Sequence, residues 1–122
     1  NPGAAVIEKT NLFNVDAMMC GVSALALGTN APTVLRDEAL RYPCAPGGYG
    51  SMAAGGVPVL GSRASVFVEK AVLANAAAVR EWDSNGTNFG YNPKYGHTAG
   101  EFGHNDFYPV AIAAAQQMGK DG

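Results

Sequence analysis

The chain has 122 residues, 48% hydrophobic and 15% charged, with eight basic and ten acidic side chains and a formal charge of -2. That composition suits one globular unit with a modest core and excludes a disordered segment. The basic residues form no patch able to neutralise nucleic-acid phosphates, and no apolar run nears the roughly 20 residues of a membrane span.

In chain order, apolar residues recur at helical spacing from Leu12 to about Leu27. They are Leu12, Val15, Met19, Val22 and Ala26, with Met18 and Leu25 beside them, and Gly28 ends the run. Cys20, inside this pattern, reads as a small buried hydrophobe. With Cys44 it makes the two thiols of the chain, and neither has metal-ligand neighbours, so a reducing compartment is expected. Pro32-Thr33 opens a shorter amphipathic helix, Val34 to Tyr42, stopped by Pro43. Leu35 and Leu40 face inward there, Arg36, Asp37, Glu38 and Arg41 outward.

Residues 43–56, PCAPGGYGSMAAGG, read as a loop or flap. Val57-Pro58-Val59-Leu60-Gly61 predicts a short extended segment, and Ser62 or Ser65 an N-cap for the long helix that follows. That helix carries Val68, Val72, Ala76 and Val79 on one stripe, and 100° per residue brings Asp83 into the same arc. Asn105-Asp106-Phe107-Tyr108-Pro109 predicts the cap and first turn of a last helix, Val110 to about Met118. The fold class is mainly α: one helical unit over residues 1–122, about four helices with long Gly-rich loops.

The chemistry gathers between the last two helices, in REWDSNGTNFGYNPKYGHTAGEFGHNDFYP, residues 80–109, which holds both histidines. Asn85-Gly86, Gly90, Asn92-Pro93, Gly96, Gly100 and Gly103 break any helix there, and long irregular loops in compact domains are usually functional. A carboxyl group on the inner arc at a helix carboxyl end, such as Asp83, suits general acid and base work, since burial and the helix dipole both favour its proton. The plainer role for Asp83 is to cap loop amides or to pair with Arg80. The last helix opens toward the histidines, and its free N–H groups near Asn105 suit a substrate anion. A metal on His97, Glu101, His104 and Asp106 is not expected: seven residues separate the histidines and glycines intervene. Serine- and cysteine-nucleophile motifs and a phosphate loop are missing, and Asn85-Gly86-Thr87, though a glycosylation triplet, reads as coincidence.

These residues bear a family likeness. ANAAAVREWDSNGT, residues 74–87, resembles the Ala-Asn-Gly-x-Ala-x-x-x-x-Asp-Phe-Asn/Asp-Asp-Thr segment of the 2-methylcitrate dehydratase (MmgE/PrpD) family. Asn14 to Gly21 is similar to that family's first long helix, and Val57 to Gly61 to the short segment before its second. Gly96-His97, ahead of an Asn/Asp-capped alanine-rich helix, resembles the family's Gly-His-Pro-Ser-Asp-Asn turn. The likeness runs through most of residues 12–118 and corresponds to the early part of a helical domain in chains several times longer.

The resemblance implies dimeric enzymes without metal or cofactor that act on small di- and tricarboxylic acids. Their reactions are dehydration of 2-methylcitrate, decarboxylation of cis-aconitate and epimerisation of iminodisuccinate. Position by position, Asp83 matches the active-site aspartate, Thr87 the substrate-contacting threonine and His97 the histidine of the turn, with amides near Asn105 orienting substrate. Gly86 stands where the family has a second acid and Thr98 where it has proline. His104, also preceded by glycine and directly before the helix cap, competes with His97, which is slightly favoured; Glu101 or Asp106 is a substitute for the missing acid. The family's lysines and second histidine lie further along the chain, so the site is expected to need the rest of the polypeptide or a companion chain.

The same resemblance accounts for the alanine content as close helix packing, with the two long helices against each other. Met18, Met19, Val22, Leu25, Val66, Val68, Val72, Leu73 and Val79 are then core candidates, and those facing a missing part will be exposed. A cytoplasmic location follows, or a mitochondrial matrix in a eukaryote, with no membrane and no nucleic acid as partner. The alternative is a non-catalytic helical module that keeps this packing and binds a ligand or partner.

Overall fold

The computed structural model describes residues 1–44, 55–82, 87–89, 92–96, 100–102 and 104–119. For 87–89, 100–102, 104 and 105 the description is of the backbone alone. The first helix, α1 (Ala4–Ala26), begins well before Leu12. Nothing between Gly3 and the apolar stripe breaks a helix, and the Gly3 carbonyl accepts the N–H groups of Val6 and Ile7, so alanine propensity carries it back to Ala4. Gly28, at φ 66°, stops it. The Thr29 N–H bonds the Ala24 carbonyl and the Gly28 N–H that of Leu25, a closure that uses two of the last free carbonyls.

The second helix, α2 (Asn30–Ala39), leaves α1 at 91°. It starts at Asn30 and takes Pro32 into its first turn, where the missing N–H has no partner to lose; it ends before Tyr42, in the turn that precedes Pro43. A hairpin follows: β1 (Val57–Pro58) pairs antiparallel with β2 (Ser65–Val66), Val57 opposite Val66. Ser65 is therefore a strand residue and not a cap, and Ser62 accepts the Ala64 N–H inside the turn. Pro43 bridges Val66 and the Cys44 N–H bonds the Ser65 carbonyl, which pins the start of the flap to the hairpin. A Cβ on Gly56 would meet the Cys44 Cβ at 2.8 Å and the Val66 carbonyl oxygen at 2.7 Å, so the backbones approach as closely as they do because a side chain is missing.

The central element is α3 (Val68–Arg80), which follows Phe67 without a side-chain cap. Beyond it a second antiparallel ribbon joins β3 (Thr87–Phe89) to β4 (Gly100–Phe102). A 3₁₀ turn (His104–Phe107) then runs into α4 (Tyr108–Gln117), with Pro109 in its first turn. The fold is mainly helical, and α3 touches α1, α2, α4 and the 3₁₀ turn. Ala39, Val57, Val59, Val66, Ala71, Ala74 and Ala113 form the core between α2, α3, α4 and the hairpin, with Leu35, Leu40, Val68 and Val72 packed on its edge.

α1 packs on α3 through its buried arc of small residues, Ala17, Gly21 and Ala24, with Gly21 against Val79. Several large core candidates therefore stand outside. Met19 is 64% exposed, Val22 53% and Leu73 52%. The Leu12, Val15, Met19, Val22 stripe is the outer face of α1, opposite the arc that packs. Gly21 sits in the arc that packs: a Cβ there would meet Val79 Cγ2 of α3 at 3.4 Å, an ordinary contact, and Leu60 Cδ1 more tightly at 3.1 Å. Cys44 is buried and Cys20 half-buried, with no disulfide between them. No single helix among the described residues is long and apolar enough to cross a membrane.

α2 is held on α3 by charge as well as by packing. Lys70 Nζ lies 3.1 Å from Glu38 Oε1 and 4.0 Å from the centre of the Tyr42 ring. The hydrogen bond from Lys70 holds the Glu38 carboxyl below its ordinary 4.5, and the bond to Glu38 raises Lys70 above its ordinary 10.5.

Gly21→Leu should cost about 1–3 kcal/mol of unfolding free energy, the usual range for overfilling a packed site, whereas Met19→Ala on the outer face should cost less than about 0.5 kcal/mol; urea denaturation compares them. The Glu38–Lys70 contribution should be complete between the two ordinary values. It should fade as pH falls through the depressed Glu38 pKa below 4.5, and again as pH rises above 10.5. In thermal melts, Glu38→Gln should be less stable than the parent at pH 7 and approach it in acid.

Candidate functional site

Two polar contacts fix the backbone just after His104. Arg80, in the last turn of α3, places Nε 3.3 Å from Asp106 Oδ2 in the 3₁₀ turn. Two residues later the Tyr108 hydroxyl donates to the Thr10 carbonyl of α1 at 3.3 Å, and burial pushes that phenol above its ordinary 10, so it stays a donor at neutral pH. The 3₁₀ turn and the start of α4 are thus tied to α3 and α1 at once.

The strand register adds a third fixed point: Thr87 pairs with Phe102. The chain therefore closes twice in this region, at Thr87–Phe102 and at Arg80–Asp106. Asp83 lies in sequence between Arg80 and Thr87, and His104 and Asn105 between Phe102 and Asp106. Four of the five candidate positions, Asp83, Thr87, His104 and Asn105, belong to these two short spans or their ends. Asp83 itself and His97 fall outside the described residues, as do the side chains of Thr87, His104, Asn105 and Glu101. α3 is described as a helix to Arg80 with Glu81 as its cap, so the 100° projection to Asp83 runs past the helix end. The buried arc of α3 centres on Ala71, Ala74 and Ala78, and Val72 and Ala76, which bracket the Asp83 direction, are only half-buried.

Asp106, considered as a substitute acid, is the partner of Arg80. Its side chain is 20% exposed, and its second oxygen, Oδ1, is buried without a hydrogen-bond partner. Among the described residues no three His, Cys, Asp or Glu side chains converge as metal ligands would.

Sequence reasoning missed two residues that shape this region. One is Asp106 as the partner of Arg80. The other is Asn75, whose Oδ1 accepts the Leu60 N–H at 2.9 Å while its Nδ2 donates to the Pro58 carbonyl at 3.0 Å. That amide satisfies both ends of the β1–β2 turn, where Gly61 has φ 73°. The signal was a lone amide in Leu73-Ala74-Asn75-Ala76-Ala77-Ala78. Beside it lies a cleft of about 270 Å³, walled by Met18, Val59, Leu60, Pro109, Ile112 and Ala113, with Ser62, Asn75 and Gln116 as its polar lining. None of its lining side chains is basic, so it supplies no counter-charge for a carboxylate substrate.

Comparison with known proteins leaves the chain without an assigned family: no family model matches it, and no curated protein or solved structure does.

Asn75→Ala removes both bonds to the turn and leaves a backbone donor and acceptor behind, which should cost about 1–3 kcal/mol. Amide exchange should accelerate first in residues 59–62, before any change in α2.

Proposed function

We propose that the chain is part of a lyase or isomerase of the 2-methylcitrate dehydratase (MmgE/PrpD) type. Its substrates are small di- or tricarboxylic acids, from which it removes a proton next to a carboxylate. The observation that carries this reading is the double closure at Arg80–Asp106 and Thr87–Phe102. It brackets the spans that hold the candidate carboxylate, Asp83, and one candidate imidazole, His104, although 21 positions separate them in sequence.

In this reading Asp83 exchanges a proton with substrate carbon and an imidazole serves the departing or entering oxygen, the division of labour that acid–base catalysis needs. Thr87 and the amides at Asn105 orient the anionic groups. No metal or cofactor is involved.

The site is completed by further polypeptide, as the remainder of a longer chain or as a companion, and the whole enzyme is a homodimer. Support comes from α1, which is apolar on both sides. Its inner arc packs on α3, while Leu12, Val15, Met19 and Val22 are each more than half exposed on the other face. A row of large apolar side chains exposed together marks a surface that suits contact with further polypeptide.

Turnover by the intact assembly, screened on 2-methylcitrate, cis-aconitate and iminodisuccinate, tests the chemistry. Asp83→Asn should reduce it at least about 100-fold, with fold and assembly unchanged by circular dichroism and native mass spectrometry. Unchanged turnover removes Asp83 from catalysis and leaves a helical binding module as the reading.

A further inference from the structure

We infer that the cleft between the β1–β2 turn and α4 is a binding site for a small uncharged molecule with an apolar body and one hydrogen-bonding end. This goes beyond the reaction proposed above and does not rest on it.

The cleft lies where four elements meet: Met18 of α1, Leu60 of the β1–β2 turn, Asn75 of α3, and Ile112 and Ala113 of α4. Elements packed at such a junction ordinarily close on one another, because protein interiors reach the density of organic crystals. Here polar contacts hold the walls. Asn75 accepts the Leu60 N–H at 2.9 Å and donates to the Pro58 carbonyl at 3.0 Å, which fixes the turn. The Tyr108 hydroxyl ties the start of α4 to the Thr10 carbonyl of α1 at 3.3 Å. Neither contact needs anything in the cleft, so the space is preformed and a ligand has no wall to move on entering.

Volume sets the size of the occupant. An apolar cavity of roughly 150 Å³ takes one benzene, and this cleft holds about 270 Å³. That is space for about two fused rings. The lining sets the chemistry. Among the described residues that form it none is charged, and a carboxylate or ammonium placed there would lose its hydration without a counter-charge. The Arg36 guanidinium approaches Gly61 but does not line the cleft, and its charge is matched by Asp37 at 3.3 Å. Ser62 Oγ accepts the Ala64 N–H at 2.9 Å, which leaves its own O–H to donate into the cleft. Gln116, exposed on α4, adds an amide at the rim. Met18 gives the wall a side chain that adapts to irregular shapes. A neutral alcohol, phenol or ketone on an apolar frame satisfies this set; a di- or tricarboxylic acid does not.

The test titrates the intact protein with 2-naphthol and, separately, with 2-naphthoate, the same frame carrying a charge. Backbone amide NMR locates the binding. The expected result with 2-naphthol is saturable shifts confined to residues 59–62 and 112–117, with a dissociation constant below about 1 mM. Binding of 2-naphthoate should be at least about tenfold weaker. Gln116→Trp closes the rim from an exposed position, and Ala113→Leu fills the cleft from the core. Each should remove saturable binding. Gln116→Trp should do so with the thermal melt unchanged, which decides the matter even where Ala113→Leu does not fold.

If the shifts map instead to Leu12, Val15, Met19 and Val22, the probe only coats the exposed row of α1 and the proposal falls. It falls equally if 2-naphthoate binds as well as 2-naphthol, or if Gln116→Trp binds as the parent does. Shifts at 59–62 and 112–117 on concentrating the protein alone would give the cleft to a second copy of the chain, and the small-molecule site would be wrong.

Discussion

Everything in this fold is arranged around the close approach of two helices. Ala17, Gly21 and Ala24 let α1 lie so near α3 that the space a Cβ of residue 21 would occupy is already bounded by Val79 and Leu60. With α1 fixed there, α3 presents its remaining sides to α2, to the β1–β2 hairpin and to α4. The larger aliphatic side chains then fill the space between these elements, as Val57, Val59 and Val66 do from the hairpin. Small residues set the helix separation, and large ones follow from it.

Polar contacts do a different job. Apolar packing between alanine surfaces fixes distance well and register poorly, because such faces are nearly featureless. Three contacts on α3 supply the missing detail, and they are spread along its length: Lys70 near the start to Glu38 and Tyr42, Asn75 at the middle to the β1–β2 turn, and Arg80 at the end to Asp106. Each addresses a different neighbour. Anchored to three neighbours at three points along its length, α3 can neither rotate nor slide without breaking one of these contacts.

Element identity was legible from the residues, but the faces were not. Gly28 and Pro43 punctuate the first two helices as local backbone chemistry requires, and the turn-forming run after Trp82 separates the last two. Periodicity failed on α1 because it has two apolar arcs, and the bulkier one, Leu12, Val15, Met19 and Val22, points away from α3. A hydrophobic stripe is normally the buried one; here the buried arc consists of alanine and glycine, which carry almost no signal on any hydrophobicity scale. Ser65 misled for a related reason, since a serine before an apolar run looks the same whether it caps a helix or pairs in a two-residue strand. Within the candidate site, residue types could be read but their neighbours could not. Arg80 and Asp106 are 26 positions apart, and nothing local to either announces the other.

The alanine-lined interface also bears on how this chain responds to heat. Ala17, Ala24, Ala39, Ala71, Ala74, Ala78 and Ala113, with Gly21 and Pro32, make up much of the interior. None of them has side-chain rotamers to freeze, so ordering such a core costs backbone freedom and little else. Each also withdraws only a small apolar area from water, which limits the heat-capacity change on unfolding. A core of this kind has a shallow, broad stability curve: modest at its maximum, and slow to decline on either side of it.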